Sequence, residues 1–562
     1  MTRNDPPEPQ PSAAGARPGP HPAPARWRRW EGPALAGILL AAVAVRWVAI
    51  AWAQTFASDG VYYLQMARQF TERPFSEVCN SYPYHPLYSL LVAGLAELTG
   101  ADWPDGWLLC ARLVSAGASL VLLLGVWALG RLAMGPVAAA ISTLLLALAG
   151  PVTEASTETI SDPTAIALAV AAGVLALLAR RSLLNGQTRC LALAAGAAAA
   201  AALGYLTRPE ELLLGALGLG LLAWPGGVQR RRLHVAAVVL FLAVLAGGVL
   251  PYANAIGGLT QKKGVEDFVH LGGRADPLAL VGMLGVNGVR LWEAFSRVIT
   301  RATNALGVPL MPLLYTWAGL VVFRHLPFLG IPRAVRLLPR WPGALMVFGP
   351  AVVMVPLLMS LNYQMDEKYI SSRHMLMPCA FLMPLCGAAL VGLAEWTLES
   401  AGRRGWPKIP WLSYTGWLAG MLAAACFQLL PVAHEHKGSY RQAGRYIRET
   451  YGPDLPIITS DLRIAFHAAA PAEQFSYRTQ ASYHLHAGEA ANRRAFWRAL
   501  EVGRRGQQPV ILALTSRFNQ RNRHYDMRRW VPEDYTLVRT FGGTGEEETV
   551  WVYRKSARRT GD

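Results

Sequence analysis

Residues 34–63 read ALAGILLAAVAVRWVAIAWAQTFASDGVYY: twenty nearly uninterrupted apolar positions, a short link, and then the acidic motif Ser58-Asp59-Gly60-Val61-Tyr62-Tyr63. An apolar run of about twenty residues is the length that crosses a hydrocarbon layer as a helix. Similar runs recur along the chain, and spans are expected at 34–53, 107–129, 134–150, 162–179, 190–206, 209–224, 233–252, 305–323, 341–361, 374–396 and 411–430. Backbone facing lipid has to satisfy its own hydrogen bonds, so these runs predict an all-α polytopic membrane bundle of about eleven helices. The whole chain has 562 residues, 53% of them hydrophobic and only 16% charged, with a mean hydropathy of +0.25.

Eleven spans put the two ends on opposite sides of the membrane, and Lys and Arg choose which is which. With the N-terminus cytoplasmic, the inner segments hold Arg26, Arg28, Arg29, Arg131, Arg180, Arg181, Arg189, Arg230, Arg231, Arg232, Arg333, Arg336, Arg403 and Arg404. The short outer loops are sparse by comparison. The expected location is the plasma (inner) membrane, with the tail from about Val432 extracytoplasmic. Residues 1–33, rich in Pro, Ala and Arg, read as a disordered cytoplasmic tail without a cleavable signal. The expected organisation is therefore a tail (1–33), a membrane domain (34–431) and a small α/β domain (432–562).

Residues 84–98 are apolar but would rise only about 22 Å as a helix, short for a crossing. They read as a helix on the outer surface, as do residues 61–70, and the two are expected to bracket Pro74 to Pro83. In the tail, 440–451 reads as a helix and 456–459, 509–514 and 549–553 as strands, with turns at Gly506–Pro509 and Gly542–Gly545.

A net charge of +17 would suit a nucleic-acid partner, but the surplus belongs to the inner loops, where topology and anionic lipid account for it. No zinc-finger spacing, phosphate loop or base-reading basic helix occurs, so no nucleic-acid partner is expected. The six cysteines have no metal spacing, and a Cys79–Cys110 disulfide is not the favoured reading.

The polar residues gather at one face. Asp59 follows the first span, and Glu154, Glu158 and Asp162 lie in the next outer loop. Arg208 occupies a tight turn beside Glu210 and Glu211, where an unpaired charge is costly. Together with His85-Pro86-Leu87, Arg112-Leu113-Val114-Ser115, Leu206-Thr207-Arg208-Pro209-Glu210 and Arg373-His374-Met375-Leu376-Met377-Pro378, they resemble the GT-C superfamily of membrane glycosyltransferases. The resemblance is closest to the protein-mannosyltransferase and aminoarabinose-transferase branch and covers about residues 34–430. It implies transfer of a sugar from a polyprenyl-phosphate carrier to an extracytoplasmic acceptor such as a glycolipid, a protein or a cell-wall glycan, with inversion. It makes Asp59 the catalytic carboxylate and membrane lipid a standing partner. Many relatives carry a second acid directly after the first or in the next outer loop; Gly60 follows Asp59 in this chain, which leaves Glu154, Glu158 and Asp162 of the next outer loop.

The residue chemistry fits that role: a carboxylate takes the acceptor proton and a cation holds the departing phosphate. Asp59 is the first candidate base, with Asp162, Glu158 and Glu154 available for the second acidic role. Asp59 also reads as a helix cap, and Asp162-Pro163 as a helix start. Arg208, Arg373, Lys262 and Lys263 are the candidate phosphate contacts. Arg208 reads equally as a structural partner of Glu210, and the two lysines as a solvated face. Tyr62, Tyr63, His85 and His270 are the groups available to orient substrate. Carboxylates suit a hard divalent cation, yet the branch resembled works without an obligatory ion, so metal use stays open. A secondary transporter or a noncatalytic scaffold is the alternative, although the chain shows neither inverted repeats nor broken midplane helices.

Overall fold

The computed structural model describes residues 25–226, 230–261, 376–405, 438–455, 457–470, 511–515, 527–542 and 548–555, with parts of 346–350, 407–419 and 493–501. The long helices of the membrane bundle are α1 (Ala25–Trp52), α5 (Asp105–Ala133), α8 (Asp162–Leu184), α11 (Arg231–Ile256) and α12 (Leu376–Arg403). These five are long and apolar enough to cross a membrane. Between them run α2 (Ser58–Glu72), α3 (Phe75–Ser81), α4 (Leu87–Thr99), α6 (Pro136–Ala147), α7 (Gly150–Thr157), α9 (Cys190–Tyr205) and α10 (Leu212–Ala223). The expected span at 305–323, and most of 341–361 and 411–430, lie outside the described residues.

Burial sorts the long helices into central and peripheral. On α1, Leu40, Val43 and Trp47 are exposed, and on α11 so are Val235, Val239 and Leu242. Spacings of three and four place each set on one helix face, which is the lipid-facing stripe of a membrane helix. By contrast α8 and α12 are enclosed by their neighbours: α8 packs on α5, α9 and α10, and α12 on α5, α6 and α8. Small residues permit this closeness. A Cβ on Gly387 of α12 would stand 2.1 Å from the Ala138 carbonyl of α6, and one on Gly248 of α11 would stand 2.6 Å from the Ala202 side chain of α9. Arg46, buried within α1, makes its hydrogen bonds inside the bundle: it donates to Ser119 Oγ at 2.6 Å and to the carbonyls of Ala42 and Ala147.

The first outer loop differs from expectation in two ways. The stretch bracketed by the two predicted surface helices is itself partly helical, because Phe75, Val78 and Cys79 recur at helical spacing and α3 buries the last two. α2 is also no simple surface helix. Gln65 and Gln69 are buried as well as Val61 and Leu64, and α2 packs on both α4 and the helix Leu462–His467 of the C-terminal region. Cys79 and Cys110 are both buried and both reduced.

The C-terminal region contains α13 (Gly438–Tyr451), β1 (Ile457–Thr459), α14 (Leu462–His467), β2 (Ile511–Thr515), β3 (Tyr535–Phe541) and β4 (Val550–Lys555). The sheet order is β1-β2-β4-β3, with β1 parallel to β2 and the other pairs antiparallel. The three expected strands are present, while β3 has no counterpart in the sequence reading. It is an edge strand with five consecutive exposed residues and a register shift between Leu537 and Arg539, so it lacks the alternation that marks a half-buried strand. α13 docks on the start of α5, where Asp105 accepts from Arg445 at 3.2 Å and Arg448 at 3.1 Å.

Candidate active site

The link between α1 and α2 runs extended, and Ala57 caps α2 with no side-chain cap of its own. Asp59 is therefore not the helix cap. It lies inside the first turn and is half-buried, where the unshared N–H groups of a helix start favour a negative charge. Glu158 takes the bracing role instead, its Oε2 accepting the Ala57 N–H at 2.5 Å. The loop 158–161 thus crosses directly over the start of α2. A Cβ at Gly60 would fall 1.6 Å from Thr159 Oγ1 and 2.8 Å from the Phe56 ring. No acidic side chain fits at position 60 while Thr159 occupies that space.

Three of the four candidate carboxylates occupy distinct settings along the second outer loop. Glu154 is exposed on α7, whereas Glu158 and Asp162 are buried. Asp162 opens α8 with Pro163 behind it, as its sequence suggested. Its carboxylate accepts from Arg208 Nη1, and Arg208 Nε donates to Glu210 Oε1 at 2.5 Å. Burial works against the Arg208 charge, but Asp162 and Glu210 outweigh it and hold the guanidinium more firmly protonated than usual. The pairing of Arg208 with Glu210 read from the sequence is thus present in the structure. Glu211, next in sequence, is buried under Gly204, and neither of its carboxyl oxygens makes a hydrogen bond to a described residue.

Tyr63 joins the two halves of the cluster. Its hydroxyl pairs with Ser161 Oγ at 2.8 Å and lies within electrostatic range of Arg208, Asp162 and Asp59. Burial raises its pKa, so the phenol stays neutral. Its ring meets Tyr84 at 4.8 Å and Tyr88 at 5.1 Å, and Tyr62 stacks on Tyr84 at 5.7 Å. His85 has a different neighbourhood: it packs between Tyr205 and Tyr252, with Nε2 3.2 Å from Thr260 Oγ1. Lys262, Lys263, His270 and Arg373 lie outside the described residues. Among the described residues no three His, Cys, Asp or Glu side chains converge as metal ligands.

Two positively charged residues without an assigned role in the sequence also reach this link. Arg112 of α5 donates to the Thr55 carbonyl at 2.7 Å, and Arg463 of α14 donates to the Phe56 carbonyl at 3.2 Å. An arginine inside an apolar run was a signal for the first; nothing local pointed to the second. Beside Arg463, His467 is buried against the Phe56 ring at 5.6 Å. Burial, helped by Arg441, Arg112 and Arg445 and opposed by Asp105, lowers its pKa from 6.5 to about 3. An unfolded chain binds this proton near pH 6.5 and the folded one only near pH 3. Stability from the neutral ring is thus complete above pH 6.5 and is lost as pH falls toward 3. Acidification from pH 7 to 5 should cost the parent about 2 kcal/mol more than it costs His467→Phe. Thermal unfolding of the two proteins in detergent at both pH values checks this, and equal losses would contradict it.

No protein-family model matches the chain, and no curated protein matches it in sequence. Solved structures do. AglB, an archaeal oligosaccharyltransferase from Archaeoglobus fulgidus solved with an inhibitory peptide and a dolichol-phosphate, is 15% identical at a TM-score of 0.54; the match covers 87% of this chain and 70% of that one. ArnT from Cupriavidus metallidurans bound to undecaprenyl phosphate is 14% identical at a TM-score of 0.53, over 92% of this chain and 97% of that one. The apo form of the same protein gives a TM-score of 0.55 over 94% and 98%. At these identities the likeness is one of fold.

Proposed function

We propose that the chain transfers a sugar from a polyprenyl-phosphate carrier to an acceptor outside the cytoplasm, with inversion at the anomeric carbon. The observation that carries this reading is the GT-C fold, matched over nearly the full length of a structure bound to undecaprenyl phosphate, with Asp59 half-buried at the mouth of that fold's first outer loop. In the proposed step the acceptor oxygen attacks the anomeric carbon and Asp59 takes its proton. The bond from that carbon to the carrier phosphate breaks, and polyprenyl phosphate leaves with the bonding electrons. Arg208 is the first candidate for holding the departing phosphate and Arg373 the second, with Lys262 and Lys263 behind them. Asp162 holds Arg208, Glu158 braces the α2 start, and Tyr62 and Tyr63 wall the site. Glu154, exposed on the same loop, and His85 and His270 are less direct contributors.

The reading includes eleven spans, a cytoplasmic N-terminus and an extracytoplasmic region from 432 onward, with the boundaries 1–33, 34–431 and 432–562. Cysteines introduced at positions 230 and 449 should label from the cytoplasmic and the outer side respectively; cytoplasmic labelling at 449 would reverse the orientation. Mass spectrometry of extracytoplasmic glycans and glycolipids, with the gene present or deleted, tests the activity. A sugar substituent that disappears on deletion and returns with the parent chain is the expected result, and unchanged profiles count against the proposal.

A further inference from the structure

The backbone of residues 55–57 is gripped by three charged side chains from three separate parts of the chain. Arg112 of α5 donates to the Thr55 carbonyl, Arg463 of α14 donates to the Phe56 carbonyl, and Glu158 of the second outer loop accepts the Ala57 N–H, at 2.7, 3.2 and 2.5 Å. Asp59 stands two residues further on, in the first turn of the helix that this link leads into. Two of the clamps belong to the membrane bundle. The third comes from the C-terminal region, 407 residues away in sequence.

Arg463 is built as a strut rather than a loose surface charge. It is buried, its Nε and Nη2 donate to the Asp461 carboxylate at 2.8 and 2.5 Å, and its guanidinium lies 5.1 Å from the Tyr440 ring centre. Tyr440 is itself fixed through its hydroxyl to Glu548. With Nε and Nη2 held bidentately by Asp461, Nη1 is the nitrogen that reaches the Phe56 carbonyl. The Phe56 ring closes the contact, meeting Phe466 at 5.0 Å edge to face and His467 at 5.6 Å.

We infer that Arg463 is a positioning residue for Asp59: it fixes the Phe56 carbonyl and so sets where the first turn of α2 presents its carboxylate. The inference rests on the proposed role of Asp59. It gives the C-terminal region a part in the transfer step beyond any recognition of the acceptor, because a shift of α14 would be passed to the base through one hydrogen bond and one ring contact. A residue that only stabilised the C-terminal region would leave the α2 start undisturbed in protein that is still folded.

The test uses the full chain and two readouts. Ser58 is exposed beside Asp59, and the five described native cysteines are buried, so maleimide labelling of Ser58→Cys reports on the α2 start, with the unsubstituted chain giving the background. Adding Arg463→Gln should speed that labelling several-fold. In the Ser58 background, Arg463→Gln should lower kcat for transfer about tenfold, with KM for the carrier-linked sugar nearly unchanged. Arg463→Lys keeps the charge, but one ammonium group cannot hold Asp461 bidentately and reach Phe56 together, so it should fall between parent and Gln in both readouts. If Arg463→Gln fails to fold, the Lys variant decides. Parent-like labelling and turnover in a folded Arg463 variant would overturn the inference. A parent chain that transfers no sugar would instead count against the proposed function, while the labelling result would still stand.

Discussion

Arg208→Gln should leave little folded protein, and adding Asp162→Asn should recover the fold without recovering transfer. The Asp162 and Glu210 side chains are only 7% and 18% exposed, and Arg208 pairs with both. Removing one partner of a buried ion pair leaves an uncompensated charge and costs about 3–5 kcal/mol. Asp162→Asn removes one of the stranded carboxylates and should return most of that loss, as a pair in contact behaves non-additively. Size-exclusion profiles in detergent measure the fold, and transfer assays on the recovered double variant measure the chemistry. A recovered double variant with parental activity would show that Arg208 serves the structure alone.

Asp59→Asn should reduce the transfer rate about 100-fold or more while expression and carrier binding stay near parental. The substitution keeps the size of the side chain and removes its charge and basicity. It disturbs no cap, because the Ala57 N–H is held by Glu158 and not by Asp59. A fold defect is thus not expected to accompany the loss of rate, which separates this variant from Arg208→Gln. The comparison with Glu158→Gln is informative. There the acceptor for the Ala57 N–H survives as an amide oxygen, so the loss should be smaller than for Asp59→Asn. Equal losses would move the base from Asp59 to Glu158.

The parts of this account that were legible in the sequence are those written in local pattern. The apolar runs became helices: α1, α5, α8, α9, α11 and α12 coincide with expected spans, and the short run at 84–98 became α4. Proline marked the start of α8 correctly at Pro163, and Gly542, which follows β3, takes a positive φ of 70°. What the pattern could not carry is the pairing of residues distant in sequence. Arg208 and Asp162 are 46 positions apart, and each alone reads as a loop charge. The burial of Gln65 and Gln69 was equally hidden, because α2 packs on elements distant in sequence, α14 among them. Gly60 is the instructive case: in sequence it is the absence of an acid, and in the fold it is the space that Thr159 fills.

The central claim is that sugar leaves a polyprenyl-phosphate carrier at Asp59. It is tested most directly by incubating purified chain with membranes whose polyprenyl-phosphate-linked sugars carry a metabolic label. The expected result is label moving from the carrier to an acceptor, with free polyprenyl phosphate appearing in equal amount, and neither change with Asp59→Asn. Label that stays on the carrier with the parent chain, or that moves equally well with Asp59→Asn, would contradict the account.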